Sequence, residues 1–274
     1  MVKKSSFFAV LFLTISLNVF SQTTISGKII NKETNTQIEF VNVGIPGKEI
    51  GTVSNEQGYY QLQISNENLN DTLFVSCIGY NSVKIKLNDL IKSADKNIYL
   101  TEKIIDLQEV LVRPKVFKTE ILGVTTKNKS IATGFSENKL GYECGILMKV
   151  KKTAFLKKVN VNINHCSYDT VFYRMNVYEG TIKNGFENIM RQPFYIKIPK
   201  SQIKDRISVD IEPLNIVVNG SFLVTLEHVK DLGKGGLWFP AALFTKTYAR
   251  KTSQGNWYTG PIGIALSVEA DVEK

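Results

Sequence analysis

Apolar and polar residues alternate at a spacing of two along most of this chain, which predicts β-strands almost throughout. Tyr60, Leu62 and Ile64 share one face of a short run. Leu73, Val75 and Cys77 share the face of the next, and Val83, Ile85 and Leu87 that of a third. Ile98 with Leu100, and Val110 to Val112, bring the N-terminal count to about seven strands, the number expected of a compact Greek-key sandwich. Between the strands, Asn31-Lys32-Glu33-Thr34-Asn35 and Ser54-Asn55-Glu56-Gln57-Gly58 have the composition of tight turns, with Asn55 and Gly58 where the chain must reverse. A helical period is confined to a short candidate at residues 88–93.

The second half repeats the alternation. Val159, Val161 and Ile163 interleave with Asn160, Asn162 and Asn164. Val171, Tyr173, Met175 and Val177 interleave with Phe172, Arg174, Asn176 and Tyr178. Phe222, Val224 and Leu226, then Ile262, Ile264, Leu266 and Val268, behave alike, and shorter runs near 194–198, 207–211 and 237–244 raise the tally to eight or nine strands. Each reads as a half-buried antiparallel strand. The pattern lapses between Val112 and Leu140, through Arg113-Pro114-Lys115 and the polar stretch 125–138. The expectation is therefore an all-β protein of two β-sandwich domains: residues 22–113 as a seven-stranded Greek-key unit, 114–139 as a linker or loop, and 140–274 as a jelly-roll-like sandwich.

The first residues add a compartment. Lys3 and Lys4, the apolar stretch Phe7 to Leu17, and small residues before Ser21 predict a secretory signal peptide over 1–21, cut between Ser21 and Gln22. The apolar run is about a dozen residues, short of the ~20 that span a bilayer as a helix, so no transmembrane segment is expected. No cysteine flanks the cut to take a lipid anchor. The expected location is periplasmic or cell-envelope associated, with surface display or secretion open. Loss of Lys3 and Lys4 takes the formal charge from +9 to +7, carried as scattered singles and pairs such as Lys151-Lys152 and Arg250-Lys251, without the basic helix that nucleic acid would need. Cys77, Cys144 and Cys166 are odd in number, and strand phase sets Cys144 on an apolar face and Cys166 in phase with the asparagines, so three unpaired, mostly buried thiols are expected.

The N-terminal residues resemble the carboxypeptidase regulatory-like domain, a transthyretin-like seven-stranded sandwich, in the version abundant in Bacteroidota. The resemblance covers Ile25 to about Val112. It is carried by Gly27 with Ile29, Val41-Asn42-Val43, Gly51-Thr52, Asn55, Gly58-Tyr59-Tyr60, Ile78-Gly79-Tyr80 and the closing Leu107-Gln108-Glu109-Val110-Leu111-Val112. The family commonly has Asp where Asn55 stands and Pro near Ile38. In that family the domain often precedes the plug and barrel of outer-membrane receptors, and Glu109 to Val112 then resembles the segment that engages an energy-transducing partner. The resemblance thus implies association with an outer-membrane receptor, although a plain last strand accounts for the same residues. The run Phe172 to Tyr178, followed by Leu226-Glu227, looks like the C-terminal half of two-domain relatives and implies no activity. Asp71-Thr72-Leu73 and Asp169-Thr170-Val171 resemble the O-glycosylation acceptor of exported Bacteroidota proteins.

Catalytic signatures are sparse. The chain has two histidines, His165 and His228, with neither a Gly-x-Ser-x-Gly elbow nor a His-Glu-x-x-His pair, so neither a serine triad nor a zinc peptidase is expected. His165-Cys166 with Tyr168-Asp169 is too short of ligands for a metal, and Asp231 to Gly236 precedes an apolar strand rather than the helix of a phosphate loop. No cofactor is expected. Asn160, Asn162, Asn164, Arg174, Asn176 and Tyr178, with Trp238 or Trp257 nearby, form the candidate ligand face, since amides and rings suit a glycan. The plain alternative is a solvated face or one packed on the first domain. The sequence predicts a non-enzymatic exported binding or scaffold protein whose partner is an envelope protein or a glycan. A carbohydrate-binding module serving polysaccharide uptake, or a hydrolase using Glu227 with Asp210, are the alternatives.

Overall fold

The computed structural model describes residues 22–104 and 116–274. The expected leader at 1–21, its cut at Ser21, and the Glu109 to Val112 segment lie outside them. The regular structure of the described residues is almost entirely strand.

Seven strands make the N-terminal sandwich: β1 (Gln22–Asn31), β2 (Asn42–Gly44), β3 (Gly51–Val53), β4 (Tyr59–Ser65), β5 (Thr72–Ser76), β6 (Val83–Lys86) and β7 (Ile98–Leu100). One sheet has the order β4-β1-β7 and the other β3-β2-β5-β6. In β4 the predicted alternation is realised, with Tyr60, Leu62 and Ile64 inward and Tyr59, Gln61 and Gln63 outward. Leu87 leaves the expected third strand and instead opens helix α1 (Leu87–Lys92), where it is buried with Leu90. Together with Ile25, Ile29, Val43, Leu73, Val75 and Ile98 these side chains form one core, each contributing about 1.5–3 kcal/mol by leaving water. Both predicted turns form. The Asn31 carboxamide accepts from the backbone N–H of Glu33 and Thr34, at 2.9 and 3.2 Å. That of Asn55 accepts from Gln57 and Tyr59, both at 2.9 Å. Gly58 has φ +68, and a Cβ there would meet the Ile29 carbonyl at 2.8 Å, so this reversal needs glycine.

The C-terminal unit contains β8 (Phe117–Gly123), β9 (Ala132–Phe135), β10 (Glu143–Asn162), β11 (His165–Cys166), β12 (Thr170–Thr181), β13 (Gly185–Asn188), β14 (Phe194–Pro199), β15 (Arg206–Asp210), β16 (Val217–Glu227), β17 (Leu237–Arg250), β18 (Tyr258–Ile264) and β19 (Leu266–Glu273). The expected linker at 114–139 is corrected here: β8 pairs with β19 and β9 with β17, so much of it belongs to this unit. Its signal was faint because β8 is an edge strand, mostly exposed, and needs little apolar content. Long β10 serves two layers. Its first part pairs with β16 and its last part with β19 and β15, with register breaks between Lys149 and Thr153 and between Leu156 and Lys158. Such bulges let one strand bend from layer to layer. Ile146, Met148, Val161, Tyr173, Met175, Val224 and Val268 fill the space between the layers.

The two units meet through side chains of both. Phe40 lies against Phe172 and Tyr195, with ring centroids 5.3 and 5.2 Å away. The loop after β17 runs along the β3-β2-β5 sheet: Thr252 Oγ1 donates to the Gly51 carbonyl at 2.8 Å, and Gln254 Nε2 to Ser76 Oγ at 2.9 Å. Asn256 Nδ2 donates to the Gly47 carbonyl, also at 2.8 Å. This seam fixes the geometry of everything between the domains.

Candidate functional site: an interdomain cleft over a buried charge row

Four strands lie side by side in the order β17-β10-β16-β12. Their pairing places Arg250 opposite Glu143, Glu143 opposite Glu227, and Glu227 opposite Arg174. A row of charges, plus-minus-minus-plus, therefore crosses the sheet on the face turned to the first domain. Like charges directly opposite each other destabilise a sheet, and the flanking arginines answer each carboxylate. Arg174 reaches Glu227 Oε2 through Nε and Nη2, at 3.1 and 2.8 Å. Arg250 donates from Nε to Glu143 Oε2 at 2.7 Å, with Nη2 2.6 Å from the same oxygen.

Neutral groups complete the row. Asn176 Nδ2 bridges Glu143 Oε1 and Glu227 Oε2, at 2.9 and 2.8 Å, and its carbonyl accepts from Asn188 at 3.0 Å. Tyr178 OH donates to Glu143 at 2.9 Å, and Thr225 Oγ1 donates to the same carboxylate. Arg174 then leaves the sheet to donate to the Phe40 carbonyl at 2.6 Å and to Asn42 Oδ1 at 2.7 Å. One buried guanidinium thus ties the domains together. Trp257 closes the other end, with its ring 5.1 Å from the Arg250 guanidinium and 5.6 Å from Tyr178.

Both carboxylates have no solvent exposure, yet burial affects them differently. Burial pushes Glu143 above the usual carboxylate range against the pull of Arg250, and repulsion from Glu227 adds to it. Burial also opposes ionisation of Glu227, but Arg174 and then Arg250 outweigh it and hold this carboxyl below its ordinary value. Burial works against both arginines' charge as well, and Glu227 and Glu143 respectively restore it. Among the fully buried side-chain atoms of the row, Glu227 Oε1 alone lacks a hydrogen-bond partner, and it lies 3.7 Å from Arg250.

Above this row lies a cleft of about 700 Å³ between the domains. Its floor includes Arg174, Asn176, Tyr178 and Arg250. The first domain supplies Phe74 and the loop from Ser76 to Ser82. The far side holds Phe186, Asn188 and Arg191. Burial pushes the Cys77 thiol, in the same wall, up to about 11, so it is a poor nucleophile at neutral pH.

The six residues expected to share one face are divided. Arg174, Asn176 and Tyr178 come together, but buried in the row rather than presented to solvent. Asn160, Asn162 and Asn164 stand elsewhere: Asn160 Oδ1 accepts from Ser208 at 2.7 Å, Asn162 Nδ2 donates to the carbonyls of Thr125 and Thr126 at 3.1 and 2.7 Å, and Asn164 Nδ2 to that of Lys129 at 2.8 Å. Asn162 and Asn164 hold the loop between β8 and β9, and Asn160 ties β10 to β15. The expected exposed face is corrected on these grounds, since other parts of the chain cover both sets. Trp257 is beside the row, whereas Trp238 pairs with His165 on β17 and β11.

Glu227 and Asp210 cannot act as a pair, because they sit opposite Glu143 and Lys158, near the two ends of β10. Among the described residues, no three His, Cys, Asp or Glu side chains are placed to share a metal ion, and none of the three cysteines is in a disulfide. His228 is wholly buried, packed on Tyr173 with 5.3 Å between ring centroids, and has no well-aligned hydrogen bond on either nitrogen. Burial lowers it to about 4. Sequence reasoning missed Glu143 and Arg250. A readable signal existed, because Glu143, Glu227 and Arg250 stand at strand ends and Arg174 inside β12, all in the phase opposite to the core residues, with charges that sum to zero.

Residues 25–112 match the profile of the CarboxypepD_reg-like domain family. No curated protein matches the chain. Solved structures similar to it include T=1 particles derived from infectious bursal virus, at 8% identity over 92% of this chain and 77% of that one, with a TM-score of 0.18. The VP2 subviral particle of infectious bursal disease virus is another, at 10% identity over 93% of this chain and 65% of that one, also with a TM-score of 0.18. At these scores neither bears on the fold.

Proposed function

From a chain that carries a carboxypeptidase regulatory-like domain over residues 25–112, we propose a non-enzymatic binding protein of the bacterial cell envelope whose ligand sits in the interdomain cleft. The observation that carries this reading is the cleft of about 700 Å³ above a floor of hydrogen-bonded, ion-paired side chains, within the size range of small-molecule sites. A floor braced in this way is already ordered, so a ligand need not bear the entropy of ordering it. Arginine ties down the two buried carboxylates, and neither reaches the cleft as a free acid or base, which favours recognition over turnover. The leader-like pattern from Lys3 to Leu17 supports export.

The test uses the full chain without its first 21 residues. Thermal-shift screening against neutral and acidic oligosaccharides and short peptides is expected to reveal at least one class that raises Tm. Ser82→Trp, at an exposed wall position, is expected to abolish that rise while leaving the unliganded Tm unchanged. No stabilising class, or full binding by the Trp variant, would remove the cleft from this role.

A further inference from the structure

Three cations line the cleft with hydrogen-bonding capacity unspent. Arg191 and Lys103 have no ion-pair or hydrogen-bond partner for their side chains among the described residues, and both are exposed at the rim. Arg250 uses Nε and Nη2 on Glu143 and Tyr178, which leaves the two N–H groups of Nη1 without a partner among the described residues. Opposing them is one lining carboxylate, Glu187, because Glu143 and Glu227 below are committed to Arg250 and Arg174. An unpaired guanidinium beside an open cavity calls for an oxyanion, which it can bind through two parallel N–H groups.

The rest of the lining narrows the ligand. Phe74, Tyr80 and Phe186 are half-buried, so each ring keeps a surface in the cleft. Ser82 Oγ, Gln254 Oε1 and Asn42 Nδ2 have no hydrogen-bond partner among the described residues and stand beside those rings. Rings that pack against C–H faces, next to groups that donate and accept, match a pyranose. The floor is the side-chain face of β12 and β13, where Asn188 stands opposite Tyr178 and Phe186 opposite Gly180. A strand-adding peptide would use a sheet edge instead.

We propose that the cleft binds an acidic oligosaccharide, with a uronic acid carboxylate held by Arg191, Lys103 and Arg250 and its ring seated on Tyr80 and Phe186. This rests on the binding reading above and specifies its ligand class. The experiment is isothermal titration calorimetry of the leaderless chain with trigalacturonate, neutral maltotriose and triglutamate. Trigalacturonate is expected to bind at least tenfold more tightly than either of the others. Arg191→Gln with Lys103→Gln, both at exposed positions where folding is insensitive, should weaken it about tenfold or more, and raising salt from 50 to 500 mM should weaken it several-fold.

Equal binding of maltotriose, with no effect of the double variant, would overturn the acidic assignment and leave a neutral-sugar cleft. Equal binding of triglutamate would overturn the sugar assignment and leave an anion site. Binding by none of the three would overturn the proposal. If the wider screen finds another class that Ser82→Trp blocks, the cleft survives as a binding site, and if it finds none, both readings fail together.

Discussion

Asn160, Asn162 and Asn164 on and just after β10 and Arg174, Asn176 and Tyr178 on β12 have the same sequence pattern, polar residues at every second position of an apolar strand, and opposite fates. Asn162 and Asn164 end against a loop, spending their amides on backbone carbonyls of residues 125–129, while Asn160 accepts from Ser208 on β15. The β12 residues end beneath another domain, in an almost wholly buried ionic row at the floor of the cleft. Alternation fixes which side chains share a face and says nothing about what covers it. The chemistry of the residues carries the difference: amides suffice where the cover is backbone, whereas a guanidinium in a dry interior requires a carboxylate on the next strand.

That contrast predicts unequal costs. Arg250→Met leaves Glu143 buried without its charged partner, so urea unfolding of the variant is expected to show a loss of about 3–5 kcal/mol. A loss no greater than that of an asparagine variant would erase the distinction between the two sets.

His228 sharpens it, as a buried polar side chain without a well-aligned hydrogen bond on either nitrogen. Its folded value of about 4 lies below the ordinary 6.5, so the unfolded chain binds the extra proton first as pH falls. Stability from this group is fully present above pH 6.5 and is lost as pH drops toward 4, by about 3 kcal/mol in all. Glu227, also depressed, acts with the same sign in a lower window, below its ordinary range. Urea midpoints compared at pH 7 and 5 should therefore fall in the parent chain and much less in His228→Phe. An equal fall in both would assign the acid sensitivity elsewhere.

Smaller effects belong to the loop-holding set. Asn162→Ala deletes two hydrogen bonds to backbone carbonyls and is expected to cost about 1–2 kcal/mol in the same assay. Asn164→Ala, at a more exposed position, should cost less than about 0.5 kcal/mol. Equal effects at the two sites would mean that burial does not set their weight.

The seven-stranded N-terminal unit was legible because its instructions are local. Asn31, Asn55 and Gly58 specify turns within a few residues, and Tyr60, Leu62 and Ile64 face a core that lies within the same domain. The second unit was legible as strands and less so as architecture. β8 is mostly exposed and sends little periodic signal, and one long β10 feeding two layers reads as one strand followed by another. The site was half legible. Arg174, Asn176, Tyr178 and Trp257 were singled out from their chemistry, but Glu143 and Arg250 are separated from them by many residues and become neighbours only through the order β17-β10-β16-β12. Burial of that face depends on Phe40 and Asn42, which belong to the other domain.

The claim that most needs testing is that the row is a buried ionic seam joining two domains. A double-mutant cycle on Arg174→Met and Glu227→Gln in the full chain, read by urea unfolding at pH 7, measures the coupling directly. The account predicts that each single variant is strongly destabilised and that the double variant is less destabilised than the sum, with a coupling of about 2–3 kcal/mol. Additive effects within about 0.3 kcal/mol, with each single variant close to the parent, would contradict it.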